Sequence, residues 1–196
     1  MSRILAFLFH PALYPVFVWV LYSQSLPIKL SDPLLKFGWI VTAALVVLPI
    51  AGVLVLWGLG MVEDPYLKTA RERRVPILIS VFAYLMAYRF FQGIDALYGL
   101  SEYYLGLSIG LGLGVIFQEI KPSLHMLAAG AFLAAIVVFK PPSGELSLFL
   151  GIGWTLFSGL LGMSRIKEEA HNHREVFLGF SLGFFPILIL SLFFGH

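Results

Sequence analysis

The sequence has no cysteine and little charge. Of its 196 residues, 12% are Asp, Glu, Lys or Arg, against roughly a quarter in ordinary soluble domains. Without cysteine there is no disulfide framework, although this leaves the cellular compartment open. The scarcity of charge excludes water as the main solvent. A water-soluble core of this size cannot hide a chain that is 59% hydrophobic, so apolar surface must face lipid. No low-complexity tract, linker or internal repeat divides the chain. We therefore expect one integral membrane domain over residues 1–196. The net charge of +2 is small, and no nucleic-acid partner is expected.

What is abundant fits that solvent. Eighteen Phe, four Trp and nineteen Gly suit membrane helices, where aromatic rings anchor at interfaces and glycine permits close helix contact. Apolar runs occur at about 4–22, 37–61, 75–91, 102–118, 122–139, 146–163 and 176–195. They predict an all-α bundle of seven membrane helices, with six as the alternative because the third and fourth runs are short. Pro11 and Pro15 interrupt the first run, which reads as a retained, kinked helix rather than a cleaved leader. Gly106, Gly110 and Gly114 recur every four residues and read as a packing face.

With seven crossings, the segments 62–74, 119–121 and 164–175 emerge on one side together with the N-terminus. That side carries Arg3, Lys68, Arg71, Arg73, Arg74, Lys121, Arg165, Lys167 and Arg174. The positive-inside rule then places it in the cytoplasm. Residues kept to bind an anion bias the same count.

Three stretches on that side carry groups able to do chemistry: EDPYLKTARERRVP at 63–76, KPSLH at 121–125 and SRIKEEAHNHREVFLGFSLG at 164–183. His171 and Glu175 are four apart, so on a helix they share a face and the carboxylate can fix the imidazole tautomer. Ser123 and His125 stand at the start of a helix, where unpaired amides and the positive dipole end suit a phosphate oxygen. Ser164-Arg165, five residues, His171, three residues, Glu175 resembles the last motif of the type 2 phosphatidic acid phosphatase superfamily, with Glu in place of Asp. Pro122-Ser123-Leu124-His125 resembles its middle motif, Pro-Ser-Gly-His, with Leu124 in place of Gly. Lys68 and Pro76 match the spacing of its opening motif, but the Arg position falls on Val75 and Arg74 stands one residue early, so that Arg74, or else Arg71, would take the Arg role. The resemblance runs from Lys68 to Gly183.

The resemblance implies a divergent, small, bacterial-type member in the inner membrane, acting without metal or other cofactor as a lipid-phosphate or lipid-pyrophosphate phosphatase. His171 would attack phosphorus to form a phosphohistidine, held by Glu175, and His125 would protonate the leaving oxygen. Lys68, Arg74, Ser123, Leu124 through its amide, and Arg165 would bind the phosphate. Phosphatidic acid, phosphatidylglycerophosphate, undecaprenyl pyrophosphate and a lipid A-type phosphate all fit such a site. Many bacterial members face outward, contrary to the charge count. A non-enzymatic member that binds or transports lipid phosphates is the reading from another class.

Each of these residues also has a plainer reading. A lone loop histidine is usually solvated or a cap, and His10, His173 and His196 fit no constellation. His171 and His173 with Glu168, Glu169 and Glu175 resemble a zinc set, but that leaves Arg165, Lys68 and Pro-Ser-x-His without a purpose. Asp95, Glu102, Glu119 and Glu145 read as interface or cap residues.

Overall fold

The computed structural model describes residues 9–27, 29–64, 67, 69–140 and 143–194. These form seven α-helices: α1 Tyr14–Ser25, α2 Asp32–Gly58, α3 Ala70–Gln92, α4 Tyr98–Ile116, α5 Leu124–Phe139, α6 Gly144–Lys167 and α7 His173–Phe194. Among the described residues there is no β-strand. Residues 4–8 of the first apolar run and 195 of the last lie outside them.

The helices sit on the apolar runs, but several begin earlier than hydropathy suggests, because their first turns are polar. In α3 the Thr69 hydroxyl accepts from the Glu72 amide while the Glu72 carboxylate accepts from the Thr69 amide, a reciprocal cap. That cap starts the helix in the charged stretch Ala70–Arg74 rather than at Val75. Ser143 likewise caps α6 by accepting from the Leu146 amide at 3.1 Å. In α2, Asp32 and Pro33 open the helix, an acid at the positive dipole end and a proline where no donor is needed. The first run yields a 3-10 turn at Pro11–Leu13 and then the short α1, since Pro11 and Pro15 cannot donate backbone bonds.

Among the described residues, five segments are long and apolar enough to cross a membrane: α2, Arg71–Gln92, Asp95–Ile116, α6 and His173–Phe193. The other two helices, α1 with 12 residues and α5 with 16, rise about 18 and 24 Å at 1.5 Å per residue, short of a hydrocarbon core of about 30 Å. Much of the outer surface is apolar, with Phe149 at 74%, Leu192 at 75% and Phe193 at 78% exposed. An apolar surface of that extent is incompatible with a water-facing monomer and compatible with an integral multi-pass membrane protein.

The last helix organises the bundle. α7 packs along both α5 and α4, so those two helices, neighbours in sequence, touch each other little. Glycines make the wedge possible. A Cβ on Gly183 would overlap the Leu127 carbonyl oxygen of α5, and one on Gly110 would overlap the Leu182 carbonyl oxygen of α7. Gly106 meets the Ile187 backbone in the same way, so the glycine spacing read from the sequence is a packing face. Gly114, the third of that series, has only the Leu127 and Leu182 methyls at 4.0 Å.

α6 is peripheral. An aromatic cluster of Tyr14, Phe17, Phe132, Trp154 and Phe157 joins it to α1 and α5. Trp154 also donates its indole N–H to the Ala129 carbonyl at 2.9 Å.

Candidate functional site

The turn between α6 and α7 begins as a helix terminus. After Lys167 the chain turns through Glu169 in the left-handed region, φ 55°. The Glu169 amide donates to the Ile166 carbonyl and the Ala170 amide to the Arg165 carbonyl, at 2.9 and 3.1 Å. This is the paired closure that usually ends in glycine. The His171 amide adds a third bond, 3.3 Å to the same Arg165 carbonyl. The backbones of Arg165 and His171 are thereby tied together.

α7 starts immediately afterwards, and its cap holds the histidine. The Asn172 side chain accepts from the Glu175 amide at 3.0 Å and donates to Glu175 Oε1 at 2.9 Å. The second carboxylate oxygen, Oε2, lies 2.6 Å from His171 Nδ1. Both oxygens of Glu175 are therefore engaged and the ring is fixed. A carboxylate at that distance accepts, so Nδ1 carries the proton and Nε2 keeps its lone pair. Asn172 was not singled out in the sequence, yet Asn followed three residues later by Glu at a helix start is a legible cap.

Ser123, the N-cap residue of α5, is fully buried, and its amide donates to the Glu175 carbonyl at 3.0 Å. Gly179 permits this approach, because a Cβ there would overlap the Ser123 carbonyl oxygen. The Ser123 hydroxyl does not close on its own helix and has no partner among the described residues; Arg165 Nε and Glu168 Oε1 are buried without partners too. Arg165 pairs through Nη1 with Glu168 Oε2 at 2.8 Å. An unsatisfied buried polar atom costs about 1–3 kcal/mol, and an anion oxygen would satisfy the two donors, Ser123 Oγ and Arg165 Nε. Lys121, just before, is in the left-handed region at φ 53°. Burial and the Arg73 charge hold its ammonium below the usual lysine range, against the opposing pull of Glu175.

The opening stretch contributes from α3. Lys68 lies outside the described residues. Arg74 is exposed, whereas Arg73 is half-buried and anchors its Nε on the Leu67 carbonyl at 2.7 Å. Its charge acts on His171. Arg73 shares a face with buried Ile77, four residues on, a register visible only once the helix is known to start at Ala70.

His171 is buried, and burial pushes its imidazole down to about 4. The Glu175 hydrogen bond opposes the shift, while the Arg73 and Lys121 charges add to it. The ring is thus neutral at pH 7 and gains a proton only as pH falls towards 4. Titration of the His171 ring by NMR in detergent should give a midpoint near 4. Arg73→Gln should raise it by removing a charge that disfavours imidazolium, and Glu175→Gln should lower it by removing the acceptor that favours imidazolium. A midpoint that neither substitution moves would contradict this electrostatic arrangement.

His125 occupies the first turn of α5, half-buried, with its ring edge-on to that of His10 at 6.0 Å between centroids. His10, which fitted no pattern in the sequence, accepts from the Ala12 amide through Nδ1 at 3.3 Å. Its place beside His125 is a product of tertiary packing alone. Leu124 lines a small cleft with Lys121 and Arg73. Among the described residues, no three His, Cys, Asp or Glu side chains converge as metal ligands would. Backbone bonds tie His171 to Arg165 and Ser123 to Glu175, and the Arg73 and Lys121 charges act on the fixed imidazole, so these six residues form a cationic cluster where α3, α5 and α7 begin and α6 ends. Compared with known proteins, the chain matches no family model, no curated protein and no solved structure.

Proposed function

We propose that the chain is a lipid-phosphate or lipid-pyrophosphate phosphatase working through a phosphohistidine on His171. The observation that carries this reading is the 2.6 Å contact of His171 Nδ1 with Glu175 Oε2. It leaves Nε2 as a neutral nucleophile in a buried site bordered by cations. The resemblance of the three loop motifs to the type 2 phosphatidic acid phosphatase superfamily supports the same reading.

In the first step the Nε2 lone pair attacks phosphorus and the P–O bond to the leaving group breaks. The leaving oxygen takes a proton from His125. The imidazole becomes cationic as it bonds to phosphorus, and the Glu175 carboxylate, already accepting from Nδ1–H, stabilises that charge. Arg165, Arg73 and Lys121 face the negative charge on the phosphoryl oxygens, together with Lys68 and Arg74 of the opening motif, and Ser123 Oγ donates a further bond. In the second step water, giving its proton to His125, cleaves the P–N bond and releases inorganic phosphate. Leu124 in the place of Gly leaves a backbone amide at the helix start, and Glu175 in the place of Asp still reaches Nδ1, so neither departure removes a group the chemistry needs. The chain would work as a multi-pass protein whose substrate tail stays among the helices while the phosphate reaches the charged loops.

The test is phosphate release from phosphatidic acid and prenyl diphosphates by purified protein in detergent with a metal chelator. His125→Ala should slow release by about a hundredfold, the contribution of one positioned acid. Tight binding of these lipids with no release would favour the lipid-phosphate binding or transport reading, which keeps the cationic cluster but not turnover.

A further inference from the structure

The cationic cluster contains one group that anion binding does not call for. Glu168 closes the end of α6, and its carboxylate accepts from Arg165 Nη1 through Oε2 at 2.8 Å. The other oxygen, Oε1, is buried with no partner among the described residues, as is Arg165 Nε. The pair is thus half-satisfied on both sides. A guanidinium presents its donors as a planar fork suited to two-point recognition of a carboxylate or phosphate, and Glu168 engages that fork through one oxygen.

Helix stability does not account for this carboxylate. Glu168 is the C-cap residue of α6, at the negative end of the helix dipole, where an anion is unfavourable and a cation such as Arg165 is favoured. An ion pair three residues apart on one helix adds only a little in return. What Arg165 touches explains the position better. Its carbonyl accepts from the His171 amide at 3.3 Å, and its charge acts on both Arg73 and Lys121, the cations whose charges act on His171. Glu168 therefore holds a cation whose backbone is bonded to the residue that carries the imidazole.

We propose that Glu168 is the resident counter-anion of this site: it occupies Arg165 until a phosphoryl group displaces it, and so sets how weakly free phosphate binds. This rests on the phosphatase reading of the same residues. A phosphoryl group brings several acceptor oxygens to the unpaired Arg165 Nε and Ser123 Oγ, whereas the carboxylate bonds neither, so the exchange favours phosphate. The displaced carboxylate remains on the same helix end and repels a dianion. That repulsion falls on every phosphate, but a lipid ester is also held in the bilayer by its tail. Inorganic phosphate has no such hold, and leaves.

Binding of inorganic phosphate to the full chain in detergent, measured by calorimetry, tests this in wild type, Glu168→Gln and Glu168→Ala. Both variants should bind about tenfold more tightly, the effect of removing a like charge near a dianion. The KM for p-nitrophenyl phosphate should fall by a similar factor, with no gain in kcat. Folding is not at risk, because the substitutions take a negative charge away from a helix C-terminus. Unchanged or weaker binding, or a gain confined to kcat, would overturn the proposal and leave Glu168 as a support for Arg165. Tightening in Glu168→Gln alone would also overturn it, since the new amide would then be the source. If wild type releases phosphate from no ester, the phosphatase reading fails and the binding comparison still decides the role of Glu168. Binding by none of the three proteins would reject that role.

Discussion

Replacement of His171 by Ala is expected to abolish phosphate release, lowering kcat by on the order of a thousandfold or more, as removal of a covalent nucleophile does elsewhere. The size follows from the absence of a substitute. Nδ1 is committed to Glu175, so Nε2 is the one nucleophilic atom the ring can offer, and His173 points from the first residue of α7 rather than from the pinned turn. Binding should survive the change, because Arg73, Lys121, Arg165 and Ser123 remain. Acid-labile, base-stable phosphate trapped on wild type during turnover, and absent from His171→Ala, would identify the intermediate directly. Retained turnover in the variant would remove His171 from the chemistry.

The second large effect is on stability. Gly183→Ala places a methyl on the Leu127 carbonyl oxygen and against the Ala131 amide of α5. Both obstacles are backbone, so relief requires the two helices to separate. A loss on the order of 3 kcal/mol is expected, read as a lower thermal unfolding midpoint in detergent. Gly159→Ala is the control. It lies exposed within α6 with nothing within 4 Å of the added carbon, and alanine favours a helix interior over glycine by roughly 0.5–1 kcal/mol. The two substitutions, chemically identical, should therefore move the midpoint in opposite directions. Equal effects would mean that α7 is not wedged against α5 as described.

The membrane helices were legible because lipid imposes a simple demand: apolar side chains on every outward face over many residues. Their starts were less legible, since Thr69, Ser143 and Asn172 are polar and fall outside any hydropathy window. That omission affected the site. Beginning the third helix at Val75 hides the fact that Arg73 shares a face with Ile77, so Arg73 was not singled out beside Arg74. His171 and Glu175 were legible as a pair because four-residue spacing is a local property. The meeting of Ser123 with Glu175, and of His10 with His125, joins segments about 50 and 115 residues apart, and no local pattern encodes such contacts. Gly106 and Gly110 announced a packing face, but not that the partner would be the last helix.

That helix is also the last of the seven to leave the ribosome. Until it arrives, α4 and α5 present glycine-notched faces with nothing between them, and Ser123 has no Glu175 carbonyl to bind. Synthesis thus proceeds with an open slot in the bundle, and the final segment, which carries Glu175 and follows directly on His171, closes it. A chain stalled before residue 171 holds six helices and neither of those groups. Interruption before α7 therefore leaves an unfilled helix groove, and packing of that helix and assembly of the candidate site become a single event.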